Sequence, residues 1–397
     1  MKNVEKYRKE NFKVIFAHDH KLKKYEENYY STGGLGDYVT HRYSDIFGNI
    51  ELICRSLKIE VIDEKLTKIT NPNVHINAIE GTNLFLSLKK LNIIRKCVKN
   101  SDGIIARLPS VIGLCSLYYA KKYNKPYLIE VVADTFGSYW YKSILGKIVA
   151  LPLNYIVKKT IEKSEYTLYV TKDFLQKKYP NNKNTCGCSD VLIENQTKEV
   201  LLKRLDKIEK SDYLTLGTLG QIDISYKGHK YVIKAISNLK KRGIKIKYKL
   251  AGSGNISYLK KIIKKENVEE LVEFCGVISH EKVYSWIDSL DIYIQPSKTE
   301  GMPRAVIEAI SRGCPTLVSS AGGMYELVES NYTFSTASVN QIQNLLIKLK
   351  KEDLKEMSIK NFNKGKEFEP TLLAEKREKF YKLFRSKLSE EKINEMV

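Results

Sequence analysis

Short runs of apolar residues alternate with longer helical patterns along the whole chain. Each run in the first half is followed by a helical pattern or a polar loop, and the runs read NFKVIFA, NIELIC, GIIAR, PYLIEVV and YTLYVT. This alternation is typical of βαβ units with a parallel sheet. The strands are apolar almost throughout, which indicates a sheet that helices cover on both faces. The first half is therefore predicted to be a doubly wound α/β domain.

A second series of strands and helices follows a polar interruption. The stretch from Asn195 to Asp212 is charged and shows no strand pattern, and LTLGTLG then opens a series of five predicted strands that form a second doubly wound sheet. A chain of 397 residues is long enough for two hydrophobic cores. The predicted organisation is an N-terminal Rossmann-like domain (1–195), a connection (196–212), a C-terminal Rossmann-like domain (213–370) and a final helix (371–397). Apolar positions in the final helix predict that it packs back towards the N-terminal domain.

The chain is strongly basic, with 67 Lys and Arg residues against 46 Asp and Glu residues and a formal net charge of +21. Such a charge predicts attraction to an anionic partner, which can be phosphate, nucleic acid or an acidic membrane surface. No RNA-binding, zinc-finger or helix-turn-helix motif accompanies the charge, so no nucleic-acid partner is predicted. Many of the lysines fall on predicted helix faces, where they are typical of solvated surface.

Seven cysteines are scattered through the sequence, mostly within apolar runs. An odd number without paired metal spacing is unlike a disulfide framework or a zinc site, so we expect free thiols and no bound metal. The first apolar run is too short for a signal peptide or a membrane span. Both observations predict a cytoplasmic protein.

Ligands of open parallel sheets bind beyond the carboxyl ends of the strands. Three loops of this kind in the second half, after LTLGTLG, YKLAGSG and DIYIQPS, contain glycines or short polar clusters. Gly220, Gly252 and Gly254 allow the backbone to come close to a phosphate or nucleoside and to offer amide donors. Ordinary tight turns are the alternative explanation of each glycine pair.

The strongest candidate site lies in the stretch TEGMPRAVIEAISRGCP. Glu300 is predicted on the loop after a strand, Pro303 in the first helical turn and Glu308 inside the helix. A carboxylate accepts two hydroxyl hydrogen bonds at once, so one acid can bind a ribose diol while the other binds sugar hydroxyls. The amides of Gly301 and Met302 lie at the positive end of the helix and suit an anionic or hydroxyl-rich ligand. The alternative is that the acids only complement the helix dipole.

The second half resembles the donor domain of glycosyltransferase family 4, a large family of retaining enzymes with the GT-B fold. The similarity covers residues 216–328 and includes GQIDISYKGHKYVIKAI, KLAGSG and QPSKTEGMPRAVIEAISRGCPTLVSSAGGMYELV at the spacing of that family. The resemblance implies that Glu308 binds the ribose of a nucleotide-sugar and that Glu300 contacts the donor sugar. The residues that it implies lie beside that sugar are Gly301, Met302 and Pro303.

The phosphate site departs from the family pattern at one position. The resemblance implies that Lys227 binds the diphosphate. The family usually has an arginine directly after the glycine that corresponds to Gly220, whereas this chain has Gln221. Glutamine donates a weaker hydrogen bond than a guanidinium group does. Arg304 can compensate for the missing charge, or it can pair with a neighbouring carboxylate.

The N-terminal half resembles the family more loosely, through the loop STGGLG before a predicted helix. Gly33 and Gly34 are predicted to face the cleft and to bring amides to the donor phosphates or the acceptor, and a tight turn is the alternative. The family commonly has a histidine after the strand in KPYLIEVVADTF, where this chain has Asp134, so no catalytic histidine is assigned. His18 and His20 follow the first strand and are secondary candidates for the acceptor site.

These features predict a retaining glycosyltransferase that moves a sugar from a nucleotide-sugar, with a UDP-sugar favoured, to a glycan acceptor. The resemblance implies a lipid-linked acceptor in bacterial-type surface polysaccharide synthesis. Glu300 and Lys227 are the predicted catalytic residues. The sequence contains no Asp-x-Asp triplet, and Lys227 with loop amides can stabilise the leaving diphosphate, so no metal and no other cofactor is predicted. A sugar-nucleotide epimerase of the same fold and a non-catalytic binder of polyanions are the alternatives.

The segment from Tyr139 to Lys159 combines aromatic residues, an apolar stretch and lysines. Its apolar part is interrupted by Pro152 and is too short to span a bilayer. It can lie on an anionic membrane surface, at the inner face of the cell membrane. It can equally form a buried helix pair.

Overall fold

The computed structural model describes residues 11–32, 34–63, 66–81, 86–194, 196–211 and 214–394. The described strands form two separate sheets. The first sheet contains β1 (Phe12–Tyr25), β2 (Asn28–Ser31), β3 (Gly48–Lys58), β4 (Thr67–Lys68), β5 (Val74–Glu80), β6 (Gly103–Leu108), β7 (Tyr127–Val131), β8 (Tyr166–Tyr169) and β9 (Asn184–Gly187). The second sheet contains β10 (Thr215–Leu219), β11 (Lys247–Ala251), β12 (Val272–Gly276), β13 (Ile292–Gln295), β14 (Thr316–Ser319) and β15 (Thr333–Phe334).

The first sheet is a parallel sheet with a short antiparallel extension. Its parallel strands lie in the order β5-β3-β1-β6-β7-β8-β9, and β2 and β4 continue the sheet beside the end of β1. The chain order reverses between β1 and β6, which is where doubly wound sheets bind their ligands. β6 is buried at every position, as the uninterrupted apolar run predicts for a strand covered on both faces.

β1 is longer than the predicted run NFKVIFA. Its pairing with β3 is irregular after Ala17, resumes at Lys21 and continues to Lys24. The polar second half of the strand forms because β3 and β2 provide backbone hydrogen bonds on its two sides. Apolar periodicity does not reveal such pairing, because only Leu22 in this half is an apolar residue buried in the core.

The second sheet is parallel throughout, in the order β12-β11-β10-β13-β14-β15. The two-residue strand β15 adds an edge strand to the five that the sequence predicts. The chain order reverses between β10 and β13, so this pair of strands marks the ligand crevice of the second sheet. Two doubly wound parallel sheets confirm the fold class predicted from the sequence.

Helices cover both sheets, and none of those described is both long enough and apolar enough to cross a lipid bilayer. They are α1 (Asp37–Phe47), α2 (Leu88–Lys99), α3 (Val111–Lys122), α4 (Thr135–Trp140), α5 (Ile144–Lys163), α6 (Phe174–Lys178), α7 (Lys198–Lys210), α8 (His229–Lys241), α9 (Ser257–Glu266), α10 (His280–Asp288), α11 (Arg304–Ser311), α12 (Val339–Lys348), α13 (Lys351–Gly365) and α14 (Pro370–Asn394).

Most of the stretch between the two sheets, where the sequence predicts a connection, is helix α7. The buried Arg204 guanidinium donates hydrogen bonds to the carbonyl oxygens of Leu290 at 2.5 Å and Ile287 at 3.1 Å. The Lys207 ammonium donates to the Leu290 carbonyl at 2.5 Å as well. These contacts fix α7 to the second sheet, because they satisfy carbonyls at the end of α10.

The final helix α14 packs on the N-terminal domain, as its apolar positions predict. The ring of Phe384 lies 6.0 Å from that of Phe47 and 5.4 Å from that of Tyr166. Arg377 donates a hydrogen bond to the Ser189 carbonyl, and the Tyr381 hydroxyl donates to a buried carboxylate on β7. Helix α14 thereby covers part of the hydrophobic core of the first sheet.

Candidate functional site

Two predicted site residues, Lys227 and Glu300, follow neighbouring strands at the switch point of the second sheet. Lys227 ends a 3-10 turn after β10, and Glu300 lies in the loop after β13. Gly228 follows the turn with φ +79°, and a Cβ atom there would lie 1.9 Å from the Pro296 carbonyl oxygen. Glycine is therefore required for the β10 loop to pack against the β13 loop, since both the space and the positive φ exclude a side chain.

Lys227 and Glu300 form an ion pair. The Lys227 Nζ lies 2.6 Å from Glu300 Oε1, and the same oxygen accepts hydrogen bonds from Ser297 Oγ at 2.6 Å and Gln295 Nε2 at 3.3 Å. Burial lowers the pKa of Lys227, but the charge and hydrogen bond of Glu300 outweigh burial and leave that pKa raised. The lysine is thus a permanent cation whose charge one carboxylate balances.

Glu308 lies on the second turn of α11, partly buried. Among the described residues, no side chain or amide donates a hydrogen bond to its carboxylate. Burial raises the pKa of Glu308, and the charges of Arg304 and His280 only partly oppose this effect. A partly buried carboxylate without a protein donor relies on solvent for its hydrogen bonds, so this acid is suited to accept hydrogen bonds from a ligand in place of water.

The start of α11 carries the other residues predicted beside the sugar. Pro303 is the N-cap residue of α11, one position before the first helical turn where the sequence placed it. Met302 is buried, with 8% of its surface exposed. A Cβ atom at Gly301 would lie 2.4 Å from the Val132 carbonyl oxygen of the N-terminal domain. Gly301 is therefore needed where the two domains touch.

The predicted glycines of the β10 and β11 loops pack these loops against each other. A Cβ atom at Gly252 would lie 1.8 Å from the Gly220 carbonyl oxygen, and one at Gly254 would lie 2.5 Å from Asp223 Oδ1. Both residues have a positive φ, of +146° and +125°. The structure thus gives Gly252 and Gly254 a packing reason, which leaves their proposed contact with a phosphate as a prediction.

Gln221 is exposed at the end of the β10 loop. Its carbonyl oxygen lies 3.3 Å from Nε2 of the buried His229. Burial lowers the pKa of His229 to about 4, so this imidazole is neutral at pH 7 and serves to hold the loop. The Gln221 side chain is exposed to solvent and does not line the cavity between the domains.

A cavity of about 490 Å³ lies between the two domains. Of the predicted donor residues in the described chain, Glu300 and Gly301 line it, whereas Glu308, Gly252 and Gly254 lie outside its lining. The other lining residues come from both domains: Ala133, Ser138, Tyr141, Lys142, Asp223, Ile224, Ser225, Tyr226 and Thr299. A ligand in this cavity contacts both domains at once, and the ion pair of Lys227 with Glu300 stands beside it.

In the predicted glycine loop of the N-terminal domain, Gly33 lies outside the described residues, whereas Gly34 is described. A Cβ atom at Gly34 would lie 3.1 Å from Cε1 of His20, so the loop packs on this imidazole. The buried Nε2 atom of His20 has no hydrogen-bond partner in the described chain. Burial, followed by the charges of Arg107 and Arg304, lowers the pKa of His20, so the ring is neutral at pH 7.

The charge of Arg304 affects the pKa values of acids in both domains. It contributes to the lowered pKa of Asp190 in the N-terminal domain, after burial, which acts in the opposite direction, and after Arg107. It also acts on Glu308 and Lys227 in its own domain. Arg304 is exposed, and its guanidinium pairs with none of the residues that the structure describes. Pairing with a neighbouring carboxylate is thus not its state here, and its charge is available to an anionic ligand.

Asp134 stands where the resemblance leads one to expect a histidine, and it has a structural task. It is the N-cap of α4, and its carboxylate accepts hydrogen bonds from the amides of Phe136 at 3.1 Å and Gly137 at 3.0 Å. It also accepts from the Tyr179 hydroxyl at 2.8 Å and pairs with Lys178 at 2.8 Å. The N-cap rule applied to the sequence Asp-Thr-Phe-Gly is the signal that reveals this role.

Glu130 is a second buried acid of the N-terminal domain. Its carboxylate accepts hydrogen bonds from the hydroxyls of Tyr43, at 3.1 Å, and Tyr381. The Arg107 guanidinium lies 3.9 Å from it and also pairs with Asp190. These groups lock α14 and α1 onto β7. Sequence reasoning missed this network, because its members lie far apart along the chain.

Glu326 joins the two domains along a contact that we call the domain seam. The carboxylate accepts hydrogen bonds from the amides of Lys172 at 2.7 Å and Phe174 at 2.7 Å, at the start of α6. The same segment touches the donor loop, because the Gly323 amide donates to the Gly301 carbonyl at 2.9 Å. The segment AGGMYELV therefore joins the donor loop to the N-terminal domain. No cluster of three potential metal ligands occurs within the part of the chain that the structure describes.

Comparisons with known proteins identify a family and relatives of the chain. Residues 186–366 match the family described as glycosyl transferases group 1. Protein CapJ of Staphylococcus aureus is 36% identical over 341 residues, which are 84% of this chain and 85% of CapJ. The amylovoran biosynthesis glycosyltransferase AmsK of Erwinia amylovora is 33% identical over 112 residues, which are 26% of this chain and 28% of AmsK.

A solved structure extends the similarity to the whole fold. The crystal structure of HepE from Anabaena in complex with UDP and glucose matches with a TM-score of 0.63 at 14% identity, over 95% of this chain and 100% of HepE. Similarity at this identity shows the fold alone, and it confirms the predicted GT-B architecture. Because CapJ matches over most of both chains and the family pattern covers the acids at the switch point, the chain belongs to the group 1 glycosyltransferases.

Proposed function

We propose that the chain transfers a sugar from a UDP-sugar to a hydroxyl of a glycan acceptor, with retention of the anomeric configuration and without a metal. The observation that carries this proposal is the partly buried Glu308, which lacks a donor among the described residues. A ribose diol supplies two hydroxyl donors to one carboxylate, and such donors are what the Glu308 carboxylate lacks.

The pair of Lys227 and Glu300 supports the catalytic part of the proposal. The donor diphosphate attracts Lys227 away from Glu300, which leaves the Glu300 carboxylate to accept from a hydroxyl of the sugar. During transfer, the acceptor oxygen bonds to the anomeric carbon while the bond from that carbon to the diphosphate breaks. The proton of the acceptor hydroxyl passes to the leaving phosphate oxygen. Lys227 and the loop amides stabilise the negative charge that develops there, which is why no metal is needed.

Arg304 is the second cation that we assign to the diphosphate. It supplies the charge that Gln221 lacks, since its guanidinium pairs with no described side chain and its field reaches both domains. A guanidinium donates two parallel hydrogen bonds to phosphate oxygens. With this assignment the diphosphate meets two cations although Gln221 carries no charge.

The comparisons support the choice of uridine and of the pathway. HepE, which shares the fold, was crystallised with UDP and glucose, and AmsK is named for amylovoran biosynthesis. By analogy, the proposed acceptor is a lipid-linked glycan in surface polysaccharide synthesis, handled at the cytoplasmic face of the membrane. Nucleic acid is not a proposed partner.

A ligand screen followed by product analysis tests the proposal. UDP and UDP-sugars are expected to raise the melting temperature more than GDP-, ADP- or nucleic-acid ligands do, because binding to the folded state stabilises it. With the preferred donor and a glycan acceptor, NMR of the product is expected to show the anomeric configuration of the donor, at a rate that EDTA leaves unchanged. An inverted product, loss of transfer in EDTA, or an epimerised nucleotide-sugar formed without acceptor contradicts the proposal.

A further inference from the structure

Helix α5 exposes a continuous apolar face. Ile144 is 82% exposed, Ile148 69%, Leu151 64% and Tyr155 64%, and the spacing of these residues by four, three and four positions places them on one side of the helix. Leu145 and Ile156 widen the same surface, with about half of each side chain exposed. We call these six residues the outer face of α5. Large apolar side chains in such a contiguous group usually mark an interaction surface.

The opposite side of α5 packs on the protein. Gly146, Ala150, Val157 and Ile161 are buried, and the Asn154 side-chain amide lies 2.7 Å from the Tyr179 hydroxyl. The helix therefore lies along the surface of the N-terminal domain and cannot leave it without exposing this inner side. A buried helix pair, the alternative reading of the sequence, accounts for the inner side of α5 only.

The charges around the outer face are nearly all positive. The segment from Tyr141 to Lys163 contains five lysines, with Glu162 its single acid, and this acid pairs with Lys159 at 2.8 Å. Lys147 and Lys158 flank the apolar stripe, and Lys147 lies 5.8 Å from the centre of the Trp140 ring. Apolar side chains with flanking lysines and aromatic rings fit the interface of an anionic bilayer.

The outer face begins two residues after the lining of the interdomain cavity. Tyr141 and Lys142 line that cavity, and Ile144 starts the exposed stripe two residues later. Whatever surface α5 rests on is therefore close to the interdomain cavity. This position separates α5 from single exposed apolar residues elsewhere, such as Leu202 on α7.

We propose that the outer face of α5 docks on the headgroup region of an anionic lipid bilayer and holds the interdomain cavity close to the membrane surface. Docking itself is independent of the reaction, whereas its purpose, delivery of a lipid-linked acceptor, rests on the proposed function. The apolar side chains enter the boundary between headgroups and acyl chains, and Lys147, Lys158 and Lys159 contact lipid phosphates.

Vesicle cosedimentation of the full chain tests this docking. The protein is expected to bind vesicles of phosphatidylcholine mixed with phosphatidylglycerol and to bind pure phosphatidylcholine far more weakly. Ile148→Gln combined with Leu151→Gln is expected to weaken binding about a hundredfold, because each large side chain loses its burial in lipid. Lys158→Gln combined with Lys159→Gln is expected to weaken binding to anionic vesicles more than tenfold, since each cation contributes about fivefold.

Leu202→Gln is the matched control, because Leu202 is as exposed as Leu151 and lies on a helix of the other domain. It is expected to leave vesicle binding unchanged, and the melting temperature checks that every variant is folded. Absence of binding by the parent protein, or equal binding by the Ile148→Gln/Leu151→Gln variant, overturns the docking. A self-association that this variant abolishes, without vesicle binding, shows instead that a second copy covers the face.

UDP binding without vesicles keeps the two proposals apart. All these variants are expected to bind UDP like the parent, because the substituted side chains are exposed on α5 and α7 and none belongs to the candidate donor site. If the parent protein binds UDP but no vesicles, the docking proposal is wrong and the proposed function is unaffected. Vesicle binding by a parent protein that binds no UDP counts against the proposed function and leaves docking standing.

Discussion

Buried acids stand on both sides of the interdomain cleft, but they differ in the donors that they receive. On the N-terminal side, Asp134 is bound by two amides, a tyrosine hydroxyl and a lysine, and Glu130 is bound by two tyrosine hydroxyls. On the C-terminal side, Glu300 is paired with Lys227, while Glu308 has no donor in the described chain. The acids with a full set of donors maintain the structure, and the acid without one is available to a ligand, because an unmet acceptor gains most from new hydrogen bonds.

The largest effect is expected from the cation of the C-terminal side. Lys227→Gln is expected to lower kcat for sugar transfer by about 10²- to 10³-fold, because the leaving diphosphate loses its nearest stabilising charge. Steady-state kinetics with the UDP-sugar identified by the ligand screen measure this change. Lys234→Gln, an exposed position on α8, is the control and is expected to keep the parent rate. A Lys227→Gln enzyme with parental kcat removes this lysine from the mechanism.

The unpaired acid comes next. Glu308→Gln is expected to weaken UDP binding by about ten- to a hundredfold, since charge-assisted hydrogen bonds to the ribose become neutral ones. The same change is expected to raise the melting temperature of the unliganded protein, because it removes a desolvated charge. Calorimetric titration and thermal unfolding measure the two effects. Unchanged UDP affinity refutes the assignment of Glu308 to the ribose.

The pH dependence of the same site has a defined sign. Burial, opposed by Arg304 and His280, raises the pKa of Glu308 in the folded protein above its ordinary value. The folded protein therefore binds a proton at Glu308 more tightly than the unfolded chain does. The free energy of unfolding is expected to rise as pH falls from the folded pKa towards the ordinary value, because the destabilising ionised form is lost. UDP affinity is expected to fall over that range, because the protonated carboxyl accepts fewer hydrogen bonds. Titrations at several pH values should show this decline in the parent and not in Glu308→Gln.

A smaller effect is expected at the acid that replaces the family histidine. Asp134→Ala is expected to reduce the free energy of unfolding by about 0.5 to 2 kcal/mol through loss of the α4 N-cap. Asp134→Asn keeps a capping side chain and is expected to retain most of the stability and a kcat within a few fold of the parent. Urea unfolding and kinetics of both variants measure these quantities. A large loss of kcat in Asp134→Asn with unchanged stability would make Asp134 a proton carrier. This result would contradict the assignment of the N-terminal acids to structure.

The smallest effect is expected at the domain seam. Glu326→Ala is expected to reduce stability by about 0.3 to 1 kcal/mol, because α6 loses an acid at its N-terminal amides. Hydrogen exchange should speed up at the amides of Lys172 and Phe174. Glu329→Ala, which removes only the contact with Lys360, is the control and should leave that exchange unchanged. Equal exchange in both variants means that Glu326 does not hold the seam.

The donor segment could be predicted from the sequence because its parts are local. Glu300 and Glu308 belong to one strand–loop–helix unit, so their separation by loop and helix follows from the pattern itself. The family resemblance implies the role of Lys227, and the parallel pairing of β10 with β13 explains why its loop meets that of Glu300. In contrast, the hydrogen bond between Tyr381 and Glu130 joins residues 251 positions apart, which no local pattern indicates. The packing of Gly34 on His20 depends on the extension of β1, which periodicity missed.

The sequence by itself determined two doubly wound domains, the strand ends that carry the candidate ligand residues and the basic, apolar composition of α5. These properties follow from periodicity and from local signals of glycine and proline, which act within a few residues. Only the tertiary structure decided which acids already have hydrogen-bond donors, which side of α5 stays exposed and which residues line the cavity. Those features depend on contacts between distant segments, since a buried carboxylate is available to a ligand only when no other part of the chain supplies its donors.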